Sequence, residues 1–104
     1  YYKGEGVLKD KKEAVKWYRK AAEQGNAFGQ LNLGWMYGHG EGVLKDDVAA
    51  YAWYSLAAYN GFEDGAKNRE IVAKKMTLEQ IAKAHDMANE LLKKIEANKA
   101  KKRE

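Results

Sequence analysis

The heptapeptide GEGVLKD occupies residues 4–10 and returns at residues 40–46. An identity that long in a chain of 104 residues marks either a site used twice or a joint used twice. Sliding the sequence along itself by 36 residues, the offset between the two copies, distinguishes them. Residues 1–26 laid on residues 37–62 share 14 identities. Beyond the heptapeptide these are Tyr1/Tyr37, Ala14/Ala50, Trp17/Trp53, Tyr18/Tyr54, Ala21/Ala57, Ala22/Ala58 and Gly25/Gly61. The match then weakens to Gly29/Gly65 and Asn32/Asn68. Self-similarity at a fixed period with a degraded last copy is the mark of a repeat array. Its units are a partial repeat at 1–26, a full repeat at 27–62 and a degenerate repeat at 63–76.

Each unit reads as helices. Asp10 and Asp46 stand where a side-chain oxygen caps a helix start, and Gly25 and Gly61 where a left-handed residue ends one. Between them Ala14, Trp17, Tyr18 and Ala21 recur at three- and four-residue spacing, which places them on one apolar face. The second copy, DVAAYAWYSLAAYN, keeps that face and is apolar around more of its circumference. AFGQLNLGWMYG is expected to form a further helix capped by Asn26, with Gly34 costing about 1 kcal/mol relative to Ala. Close approach of another helix backbone would account for that cost. GHGEGVLKD is then a joint between helices, its glycines supplying positive φ and Val43 (Val7 in the first copy) plugging the apolar seam. A phosphate cradle would need a preceding strand and a Lys-Ser/Thr ending, and the sequence has neither.

The C-terminal part closes the array. DGAKNREIVAKKM reads as a third first-helix with a polar start, and Thr77 with Gln80 forms a Thr-x-x-Gln capping box before a new helix. Leu78, Ile81, His85, Ala88, Leu92 and Ile95 make one stripe along that helix. The end of an array needs its last apolar face covered. The stripe therefore either docks on the preceding repeat or pairs with another protomer. His85 within it reads as a packed or interface histidine, because no other ligand residue stands at metal-binding spacing.

Composition sets the outer limits. Apolar residues form 45% and charged residues 33% of the chain, which fits a folded helical protein and argues against disorder. Absent Cys excludes disulfides and thiolate metal sites, and absent Pro favours uninterrupted helices. No apolar run approaches the ~20 residues of a membrane span. The net charge of +4 is concentrated in KKIEANKAKKRE, residues 93–104, a basic helical or frayed tail; the rest of the chain is balanced. A nucleic-acid surface would spread basic residues over a folded face, so no nucleic-acid partner is expected.

Leu33-Gly34, Tyr37, GEGV, Asp46, Ala50, the WY and AA pairs and Gly61 together resemble the Sel-1-like repeat, a relative of the tetratricopeptide repeat with a longer inter-helix loop. The resemblance covers residues 1 to about 76, and NREIVAKKMTLEQIAKAHDMANEL is similar to the C-terminal end of bacterial members. It implies an all-α fold: a right-handed α-solenoid of helix-turn-helix repeats of 36 residues with a C-terminal capping helix from residue 77. It also implies a scaffold for protein–protein contacts. Against the family pattern the chain opens inside a repeat, without the first helix, and lacks the cysteines of disulfide-stapled relatives.

In scaffolds of this type the first helix of each repeat lines the concave surface. Ala27, Gln30, Leu33, Gly34 and Tyr37 follow the packing pattern, which leaves Phe28, Leu31, Trp35 and His39 on a second stripe. Such a stripe is either buried against a neighbour or offered to a peptide or partner helix, with its aromatics as anchors. Asn32 and Asn68 share one register, where tetratricopeptide relatives can hydrogen-bond a peptide backbone or carboxylate; Lys67 and Arg69 would add charge. The alternative is a structural one: the cap of a longer solenoid, with Tyr1 and Tyr2 exposed and the chain prone to form homodimers. No catalytic residue, cofactor or metal is expected. The two histidines, the single Ser55 and Thr77 form no sequence-local dyad, and adjacent helix residues such as His85 and Asp86 point different ways.

Overall fold

The computed structural model describes the backbone of residues 7–103 and the side-chain surroundings of residues 10–101. Five helices follow in order: α1 Val7–Glu23, α2 Ala27–His39, α3 Asp47–Tyr59, α4 Glu63–Ala73 and α5 Leu78–Arg103. Consecutive helices from α1 to α4 pack on one another, α2 also meets α4, and α5 crosses α3 to reach α1. The 41 × 39 × 21 Å envelope is two helices thick, each helix about 10 Å across. The result is a helical repeat solenoid.

The helix stops come from chemistry repeated with the period. Gly25 at φ +90° and Gly61 at φ +92° both sit at left-handed stops. In each, the glycine N–H donates to a carbonyl three residues back (Ala22, Ala58), and the next N–H reaches five back (Ala21, Ala57). These paired bonds satisfy carbonyls the helix end would leave orphaned. Asn26 accepts from Gly29 N–H at 2.7 Å and Asp46 from Ala49 N–H at 3.1 Å, capping α2 and α3. Thr77 and Gln80 bond reciprocally at 2.9 and 3.0 Å, completing the capping box.

The glycines mark where helices touch. A Cβ on Gly65 would lie 2.6 Å from the Tyr54 carbonyl, and one on Gly29 would lie 3.1 Å from the Tyr18 carbonyl, the equivalent atom one repeat earlier. A Cβ on Gly34 would lie 2.8 Å from the Tyr54 ring and 3.3 Å from the Ala50 carbonyl, so α2 and α3 approach closely at that glycine. The core follows these contacts: Val15, Ala22, Leu33, Met36, Trp53, Leu56 and Ile95 form one cluster, and Ala50, Tyr51, Tyr54, Val72 and Ala84 another. Gln30 is the buried polar residue, its amide donating to Ala22 O at 3.1 Å and its oxygen accepting from Asn60 at 2.9 Å. It ties the end of α1 to the end of α3.

The joint is visible in the second heptapeptide copy. Gly40 at φ +67° and Gly42 at φ +75° turn the chain. A Cβ on Gly42 would meet the Lys11 carbonyl at 2.6 Å, Glu41 pairs with Lys11, and Val43 is packed against the first core cluster. With a carbonyl filling the open side of Gly42, the loop presents no anion cradle.

Three expectations are corrected. Asp10 does not cap α1 but lies inside it, since the helix begins at Val7. In the second copy, a bond from Asp46 N–H to Tyr37 O at 2.9 Å holds the heptapeptide in a loop. No described helix precedes the first copy, and VLKDKK contains nothing to stop helix propagation. Trp17 is 65% exposed whereas its counterpart Trp53 is 1% exposed. Trp53 belongs to a cluster shared by α1, α2 and α5, and no described helix lies before α1 to cover Trp17 in the same way. On α5 the buried row is Ala84, Ala88 and Ile95, flanked by half-buried Ile81, Leu91 and Leu92; Leu78 and His85 are exposed. Small Ala84 permits close helix packing but carries little hydropathic signal in the sequence. Tyr1 and Tyr2 lie outside the described residues.

Candidate functional site

A cleft of about 520 Å³ opens between α2 and α4. Trp35, Gly38 and His39 of α2 form one wall and Asn68, Ile71 and Lys75, from α4 and the turn after it, the other; Tyr54 lies at the base and Lys45 at the rim. Displacement by one repeat carries Trp35 onto Ile71 and His39 onto Lys75, so the walls are equivalent positions of successive helices.

Local chemistry holds the aromatic wall in place. Trp35 is 41% exposed, and its ring stacks on His39 with centroids 4.1 Å apart and planes 21° from parallel. His39 Nδ1 donates to the Trp35 carbonyl at 2.9 Å, so Nδ1 carries a proton. The last turn of α2 is closed by the Gly40 N–H, which donates to Met36 O. Tyr54 is buried, and burial pushes its phenol up to about 12 from its usual 10.0, so it stays a neutral hydroxyl. No carboxylate lines the cleft; Lys45 pairs with Asp47 at 2.9 Å, and Lys75 has no ion pair among the described residues.

Of the residues anticipated from sequence, the cleft gathers Trp35, His39 and Asn68. Phe28 is 59% exposed away from the cleft lining and meets Phe62 edge-on, centroids 6.3 Å apart. Leu31 packs against the second core cluster, and Asn32 donates to Phe28 O at 2.8 Å within its own helix. Lys67 is absent from the lining and Arg69 turns elsewhere, over the Tyr51 ring at 5.9 Å. Ile71, Lys45 and Lys75 were missed, although applying the repeat offset to Trp35 and His39 would have found Ile71 and Lys75. Among the described residues no group of three or more His, Asp or Glu gathers, and no helix is long and apolar enough to cross a membrane. Ser55 Oγ makes no hydrogen bond to His85, so those two residues form no nucleophile–base pair.

A family model described as Sel1 repeat matches residues 1–26 and 27–62. The chain belongs to the Sel1 repeat family. A crystal structure of c5321, a protective antigen present in uropathogenic Escherichia coli strains and displaying an SLR fold, superposes with a TM-score of 0.79 at 40% identity. The match covers 84% of this chain and 19% of that one, so the chain spans about a fifth of its neighbour. None of the curated proteins compared matches the chain. Sel1 repeats are protein-interaction modules, and the first helices of two successive repeats, α2 and α4, form the walls of the cleft.

Proposed function

We propose that this chain is a non-catalytic protein–protein interaction scaffold whose α2–α4 cleft takes a peptide or a partner helix. The observation carrying this reading is the half-exposed Trp35, stacked on His39 at the mouth of a preformed cleft. A rigid aromatic anchor loses little entropy on binding and buries a large area. Asn68 supplies a side-chain amide for a peptide backbone, and Lys75, in a lining free of carboxylates, favours an acidic segment. Phe28 and Asn32 lie on the same helix as Trp35, where a longer ligand would reach the exposed Phe28 ring.

Selection of a displayed peptide library on the chain tests this, followed by amide-shift mapping of the selected peptides. Peptides that shift Trp35 and Asn68 and bind at least about tenfold more weakly to a folded Trp35→Ala variant support the cleft. Selected peptides that map elsewhere, or bind the variant equally well, refute it. Circular dichroism verifies the fold of the variant.

A second reading, the structural cap of a longer repeat protein that self-associates, is favoured by α5 crossing α3 onto α1. There Asn98 donates to Glu23 O at 3.2 Å and Lys94 approaches Glu23 at 3.8 Å. Light scattering on the chain and on Trp17→Ala distinguishes self-association through the exposed α1 face from a monomeric cap.

A further inference from the structure

A separate pocket of about 170 Å³ lies among α3, α4 and α5 and shares no residue with the cleft. Its polar lining is Ser55, Tyr59, Arg69, His85 and Asn89, with an apolar wall from α3 and α5. None of the lining residues is acidic, and Arg69 has no carboxylate partner among the described ion pairs. Tyr51 is the shared platform. Arg69 lies over its ring at 5.9 Å, His85 meets the ring edge-on at 5.4 Å, and the Tyr51 hydroxyl and His85 Nε2 are 3.3 Å apart. One turn further along α3, Ser55 Oγ is buried and makes no hydrogen bond to the protein. A buried serine within a helix can bond the carbonyl four residues back; this one does not, and its hydroxyl proton is unused. Buried polar atoms without partners are uncommon and call for one.

We propose that this pocket binds a carboxylate on a short aliphatic stem. The Arg69 guanidinium supplies the matching charge in a planar fork. Ser55 and Asn89 donate the flanking hydrogen bonds, and the apolar wall takes the stem. The volume of about 170 Å³ equals roughly six waters at about 30 Å³ each, enough for a propionate-sized group. A single cation suits a monoanion better than a phosphate dianion. The carboxylate comes either from a free small acid or from a glutamate side chain of a bound peptide.

Titration of the ¹⁵N-labelled chain with sodium propionate, with the capped tripeptide acetyl-Gly-Glu-Gly-amide, and with sodium chloride at matched ionic strength tests the site. Saturable shifts at Arg69 Nε–H and the Asn89 side-chain amide, with a Kd on the order of millimolar, are expected for propionate. Arg69→Gln raises that Kd about tenfold or more, as loss of a charge-assisted pair requires. Ser55→Ala removes a hydroxyl that has no protein partner, keeps the fold, and weakens binding about threefold. Tripeptide binding at the same signals identifies a peptide-borne carboxylate as a ligand, and propionate binding alone a free acid. Shifts that chloride reproduces, or a Kd unchanged in both variants, overturn the proposal. Trp35→Ala leaves this site intact, so its outcome is independent of the cleft.

Discussion

Gly65→Ala is the perturbation that tests most directly how the repeats are held together. The substitution gains helix propensity, about 1 kcal/mol in a helix interior. Against this, the added methyl would sit 2.6 Å from the Tyr54 carbonyl oxygen and 2.8 Å from the Ala58 nitrogen, atoms of the α3 backbone that no rotamer change can move. Ordinary contact begins near 3.4 Å, so α4 must back away by about 0.8 Å. A radial gap of roughly 0.5–1 Å forfeits a quarter to a half of the dispersion well for each contact along the interface. Overpacking costs about 1–3 kcal/mol, and a clash with backbone that cannot repack falls in the upper part of that range, about 2–3 kcal/mol, so the net loss is about 1–2 kcal/mol after the propensity gain. For a domain of this size that lowers Tm by roughly 5–15 °C. Gly38→Ala is the control. It is also helical, but its Cβ would lie 3.6 Å from the nearest atom, so the propensity gain goes unopposed and stability stays level or rises. Urea unfolding followed by circular dichroism gives both values. If Gly65→Ala proves as stable as the parent, or both variants shift alike, the close-approach reading of the repeated glycine is wrong. Because α4 carries one wall of the cleft, Gly65→Ala is also expected to weaken any ligand bound there, whereas Ser55→Ala is not.

Two further expectations follow from burial. Trp53→Ala removes the largest fully buried side chain and costs about 3–5 kcal/mol in urea unfolding, whereas Trp17→Ala, its repeat counterpart, shifts stability by no more than about 0.5 kcal/mol; equal effects would show that α1 is covered. Tyr54 holds its proton up to about 12 in the fold but loses it near its usual 10.0 when unfolded, so the folded state binds more protons between those values and stability falls as pH rises through that window. The loss from this group approaches roughly 2–3 kcal/mol between about pH 9 and pH 12. Tyr54→Phe should reduce the decline of the urea-derived unfolding free energy by that amount, and an unchanged decline would refute the assignment.

What the sequence makes legible, and where it stops, follows from which forces are local. The stops at Gly25 and Gly61, the caps at Asn26 and Asp46 and the Thr77–Gln80 box each depend on a few neighbouring residues, and the period supports the stops by writing the same glycine twice. The first heptapeptide shows the limit of that logic. The same seven letters form a loop where Tyr37 O anchors Asp46, while Val7–Asp10 are helical where no described helix precedes them. Trp17 and Trp53 make the same point about burial: identical residues in identical registers differ because one has a neighbouring repeat and the other has none described. Site composition is less local still. Reading α2 alone puts Phe28, Leu31, Trp35 and His39 on one stripe, but the cleft is built by two helices, which excludes Phe28 and Leu31 and adds Ile71 and Lys75. Those additions obey the period, since they stand one repeat beyond Trp35 and His39. Arg69 does not: it follows Asn68 in sequence yet serves the other pocket, because successive residues on a helix point about 100° apart. In a repeat protein, then, sequence identifies positions, and the number of neighbouring helices decides which positions become core and which become surface.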